Sequence, residues 1–122
     1  HLEERVATLI ESGEVGGLES DAPLSTFDAR ATEIEALDAI WREATDALAL
    51  VVANACTLLD PAVLLIGGGV LEHCSEFRSR VVRKIPSQVL EVVRSTLEIR
   101  RATLGDRAGP LGAARLASRI EP

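Results

Sequence analysis

At 122 residues the chain has the length of one domain with its own core, or of one lobe of something larger. With 47% hydrophobic but only 2% aromatic residues, its core must be built from Ala, Val, Leu and Ile, and its formal net charge of −6 argues against a segment that grips nucleic acid by the phosphates. Cys56 and Cys74 form no CxxC pair, so they read as reduced thiols rather than as a zinc knuckle or a disulfide framework.

The chain contains no Met and opens inside a helical pattern, which predicts that 1–122 is a single partial domain, a fragment of something larger. Leu2, Val6, Leu9 and Ile10 repeat at helical spacing, and Gly13 is placed to cap that helix. Residues 14–30, punctuated by Gly16, Gly17 and Pro23, read as a connecting loop with room for a helical turn. From Ala31 to Leu59, apolar positions from Ile34 through Trp41 and Leu48 to Leu59 predict one long helix. Its second half is apolar nearly all round and is expected to be buried between other elements. The apolar run from Ala47 to Leu59 is too short to span a bilayer and no secretory signal is visible, so no membrane association and a cytoplasmic location are expected.

Pro61 ends that helix and biases Asp60 towards extended geometry. Ala62 to Ile66 is a short unalternating apolar run, the pattern of a strand covered by helices on both faces. Gly67, Gly68 and Gly69 follow. Without Cβ atoms, such a turn lets a ligand's oxygens reach backbone N–H groups; the same residues also suit a tight strand-to-helix turn that binds nothing.

Leu71 to about Leu90 predicts a helix interrupted near Pro86, with Arg78, Arg80, Arg83 and Lys84 on a flank read as solvated. A short helix from Ser87 to Val93 is expected next, then a half-exposed or edge strand over Leu97–Ala102 and a turn over Leu104–Arg107. Pro110 suits the first turn of a closing helix whose small residues favour close packing. Asp106, just before it, serves either as a cap or as a carboxylate beside a ligand.

The stretches LLDPAVLLIGGGV and ATLGDRAGPLGAARLA, in this order and at this separation, resemble the C-terminal end of the ROK family of bacterial sugar kinases and sugar-responsive repressors. The resemblance implies an α/β fold, the C-terminal lobe of an actin-like (sugar kinase/Hsp70-type) ATPase, helix-rich with a small mixed sheet. It further implies that Gly67, Gly68 and Gly69 approach ATP phosphates and that Gly105, Asp106, Ala108 and Gly109 lie near the nucleotide. His1-Leu2-Glu3 is similar to the Cys-x-Glu end of the family's zinc motif, which makes Glu3 the candidate contact to a sugar hydroxyl. The sequence departs from that motif at His1, which stands where the last zinc cysteine would be and is the one candidate here for a structural Zn.

The implied function is the nucleotide-facing lobe of a kinase that passes phosphate from Mg-bound ATP to a hexose such as glucose, or to an amino sugar. The alternative is the inducer-binding domain of a repressor, without catalysis. The implied catalytic carboxylate lies outside this chain, so no catalytic residue is assigned and this segment alone is expected to be inactive. A homo-oligomer is the expected assembly.

Overall fold

The computed structural model describes residues 2–13, 15–17, 19 and 22–119. Helix α1, Leu2–Glu11, buries Val6 and is closed by Gly13 at φ 77°, whose N–H donates to the Ile10 carbonyl at 3.0 Å. The expected connecting loop gives way in its last seven residues to helix α2, Leu24–Arg30, which starts directly after Pro23 and buries Phe27 and Asp28. Helix α3 runs over Glu35–Leu59, not from Ala31, because the intervening residues close α2: the N–H groups of Glu33 and Ile34 both donate to Arg30 O.

Leu37, Ile40, Trp41, Thr45, Ala49, Ala53 and Cys56 form the buried stripe of α3, each three or four residues from a neighbour along the helix. The expectation that its second half is buried all round is not met. Leu50, Val51, Leu58 and Leu59 are exposed, Leu58 at 84%, because the described elements pack against one side of the helix only. Asp60 also departs from expectation. It is left-handed, φ 45° and ψ 54°, and its N–H caps α3 by donating to Cys56 O at 2.9 Å. An Asp tolerates that conformation better than most residues, and the helix-closing bond outweighs the pull of Pro61 towards extended backbone.

Strand β1, Val63–Ile66, leads into helix α4, Gly69–His73. The chain breaks at Cys74 (φ −103°, ψ 92°) and resumes as helix α5, Ser75–Gln88, which contains Pro86. Helix α6, Glu91–Arg94, follows the extended Val89, and strand β2, Glu98–Arg101, completes a crossover by pairing with β1 in parallel, Leu64 opposite Ile99 and Ile66 opposite Arg101. The helical stretch is thus interrupted at Cys74 and Val89, on either side of Pro86 and not at it. The sheet of the described residues is parallel rather than mixed. Only one of its faces is covered: Ile66 is buried and Leu64 and Ile99 pack on the core, while Val63 and Leu65 (66%) stay open.

A single 3-10 turn, Gly105–Arg107, joins β2 to helix α7, Ala108–Ala117. Close packing of the small residues of α7 is not observed; none of them is buried, since the helix contacts the 3-10 turn and little else among the described residues. The core lies instead between α3 and α5. Trp41 meets Phe77 edge-on with ring centroids 6.5 Å apart, the aromatic arrangement favoured by the ring quadrupoles. Beside them the guanidinium of Arg80, read from sequence as part of a solvated flank, is buried between Asp38 and Glu76, 2.7 Å from each. No helix among the described residues is long and apolar enough to cross a membrane.

Candidate functional site

The two glycine turns meet at the carboxyl ends of the parallel strands, the edge at which open α/β sheets take their ligands. Two contacts set their spacing. Ala102 N–H donates to Ile66 O at 2.8 Å, extending the ladder one step past β2. Alongside it Gly67 lies so close that an added Cβ would fall 2.7 Å from the Cβ of Ala102. Gly67 is therefore required by packing between the two turns.

Gly68 differs. Its φ of 108° is a backbone state that side chains rarely adopt, and at both Gly68 and Gly69 an added Cβ would meet nothing within 4 Å. These two present bare backbone to open space. On the second turn Gly105 has φ 53°, and a Cβ there would lie 3.1 Å from Glu72 Oε2, so Glu72 of α4 packs its carboxylate against the 3-10 turn. Ala108 and Gly109 are exposed at the start of α7, and nothing lies within 4 Å of a Cβ built on Gly109. Asp106 belongs to the 3-10 turn, but its side chain lies outside the described residues.

The first glycine turn separates two hollows. One, of about 410 Å³, is apolar and lined by Leu2, Leu48, Leu71 and Phe77 beside the three glycines. The other, of about 440 Å³, is lined by Glu3, Ser25, Gly69, Val70, His73 and Cys74 among others. Glu3 and the glycine turn, far apart in sequence, thus share one hollow. His1 lies outside the described residues. Among those described, no three His, Cys, Asp or Glu side chains converge as a metal site, so nothing here supports the structural Zn.

The wall of this hollow is set by a residue with no part in the sequence-based site. Asp28 Oδ1 accepts from Trp41 Nε1 at 2.7 Å and from Phe77 N at 2.8 Å, and Oδ2 accepts from Glu76 N at 2.8 Å. Helix α5 has Cys74 at its N-cap position and no side-chain cap of its own; a carboxylate from α2 supplies what Ser, Asp or Asn normally would. That cap fixes the break at Cys74 and so the direction of His73 and α4. Arg78 caps the same C-terminal end of α4, donating from Nη1 to Leu71 O at 2.5 Å and to Glu72 O at 3.2 Å. Burial, with the nearby charge of Asp28 adding and Arg78 opposing, pushes the Cys74 thiol up to about 11, so it lines the hollow as a neutral group. Ser25, Asp28, Glu72 and His73 carry no motif of their own, and only their placement marks them.

The ROK family model matches residues 15–120. The chain is 38% identical over 69 residues to the N-acetyl-D-glucosamine kinases of Salmonella typhi, Salmonella newport (strain SL254) and Salmonella heidelberg (strain SL476), a match covering 57% of this chain and 22% of each relative. The match therefore spans only about a fifth of the length of these curated relatives. With the family model covering most of its length, the chain belongs to the ROK family.

Proposed function

We propose that this chain is the C-terminal, nucleotide-facing lobe of an actin-like sugar kinase that transfers phosphate from Mg-bound ATP to a hexose or N-acetylated amino sugar. The observation that carries this reading is the meeting of the two glycine turns through Gly67–Ala102 and Gly105–Glu72, with bare backbone at Gly68 and Gly69 facing open space. The fit to phosphate rests on that backbone: N–H groups with no Cβ beside them accommodate anionic oxygens closely. Gly67, Gly105, Asp106, Ala108 and Gly109 belong to the same wall, with Gly67 and Gly105 holding the two turns at their spacing.

ATP bound against this wall supplies the phosphoryl group. The chain's own contribution is positioning, which dominates catalysis of phosphoryl transfer. Glu3, in the hollow that begins at Gly69, is assigned to accept a hydrogen bond from a sugar hydroxyl. No residue of this chain is assigned to Mg or to proton removal. The 38% identity to N-acetyl-D-glucosamine kinases makes N-acetylglucosamine the first sugar to test, ahead of glucose. A cytoplasmic location and a homo-oligomer remain part of the proposal, the latter to be read from sedimentation of the full-length protein.

The test is ADP release by the full-length protein with ATP, Mg and a panel of hexoses and amino sugars. Sugar-dependent release is expected. No turnover with any of them, alongside sugar-dependent binding to DNA, would replace the kinase by the repressor reading.

A further inference from the structure

The largest of the hollows described here shares no residue with the two at the glycine turn. It is a groove of about 520 Å³ between α5 and β2, lined by Arg78, Ser79, Val82, Arg83, Arg100 and Arg101 with Ile66 and Ile99. Four guanidinium groups border it, in a chain whose net charge is −6. The compensating carboxylates are few. Glu98 is paired with Arg100 through two hydrogen bonds of 2.6 Å. Glu76 lies 4.0 Å from Arg83 but is engaged at 2.7 Å by the buried Arg80, outside the groove. Arg78 spends one nitrogen on the backbone carbonyls of α4, which fixes the group without neutralising it. Arg101 has no ion pair among the described residues. Arg78, Arg83 and Arg101 thus leave an excess of positive charge over an apolar floor of Ile66, Val82 and Ile99.

An apolar floor under planar, permanently charged donors suits a small molecule with both an anionic and an apolar part. The volume falls in the range of small-ligand sites, roughly 300–1,000 Å³, and the overall acidity disfavours a nucleic acid as occupant. We propose that this groove is a second binding site, separate from the glycine turn, for a phosphorylated small molecule, its phosphate held by Arg83, Arg101 and Arg78 and its organic part lying on Ile66, Val82 and Ile99. A nucleoside diphosphate and a sugar phosphate share that chemistry.

The test uses the full-length protein with its nucleotide cleft saturated by a non-hydrolysable ATP analogue, titrated calorimetrically with ADP and, separately, with glucose 6-phosphate. Arg83 and Arg101 are exposed, so the double variant Arg83→Glu/Arg101→Glu reverses charge in the groove without disturbing the core. Binding of at least one of the two ligands is expected, weakened more than tenfold in the double variant and by added salt, with the affinity for the ATP analogue unchanged. The arm that binds names the source of the phosphate. Failure of both ligands to bind, an affinity unchanged within twofold in the variant, or an equal loss of ATP-analogue affinity would each overturn a separate site. Because the readout is binding, it stands or falls independently of kinase activity.

Discussion

The Trp41 indole N–H donates to Asp28 Oδ1 at 2.7 Å, and the same carboxylate receives the first backbone N–H groups of α5. One buried acid therefore joins α2, α3 and α5 and sets the break between α4 and α5. Asp28→Ala would leave three donors without their acceptor, each costing roughly 1–3 kcal/mol if it stays buried. A loss of about 3 kcal/mol or more is expected in urea unfolding of the intact protein, against about 1–2 kcal/mol for Trp41→Phe, which removes one of the three bonds.

The glycines separate by role. Gly67→Ala must push Ala102 away and is expected to cost about 1–3 kcal/mol. Gly68→Ala meets no atom but is strained at φ 108°, at a similar cost of about 1–3 kcal/mol. Gly112→Ala, in α7 with nothing within 4 Å, should stabilise by up to about 1 kcal/mol through helix propensity. Thermal unfolding of the three variants, two lower and one higher than the parent, checks this ordering.

Hydrogen bonds from Arg42, then Arg80, hold the Asp38 carboxyl below its ordinary range. A depressed folded-state pKa gives stability that is present above the unfolded value, about 3.9, and lost as pH falls through the lower folded value. Asp38→Asn should therefore be less stable than the parent at neutral pH and converge with it in acid. Parallel unfolding curves of the two at all pH values would contradict this.

Both cysteine thiols are pushed up by burial, Cys74 to about 11. Since the thiolate is the reactive form, alkylation of the folded protein at about pH 8 should be slow at both, and fast only after denaturation. Mass spectrometry after timed iodoacetamide treatment gives the answer.

Most elements were legible because their periodicity is local: α1, α3, β1, β2 and α7 stand within a few residues of where apolar spacing, Pro61 and Pro110 put them. The break at Cys74 was not, because its cause is Asp28, 48 residues from Glu76 in sequence. Pro86 misled for the opposite reason. It sits in the last turn of α5, which ends at Gln88, so the helix runs only two residues past the bond that Pro86 cannot donate. The burial expected for Leu50, Leu58 and Leu65 failed because apolar sequence records what a face avoids, not which element covers it. Of the site, the glycine turns could be read from sequence, whereas the packing of Glu72 against Gly105 and the hollow shared by Glu3 and His73 exist only in the fold.

The most direct test of the central claim is the ATP affinity of the full-length Gly69→Val protein. The open backbone at Gly69 predicts a variant that unfolds at the parent's temperature and binds ATP at least tenfold more weakly, because the new side chain occupies the space assigned to phosphate. Equal ATP affinity in the two proteins would contradict the placement of the nucleotide at this turn.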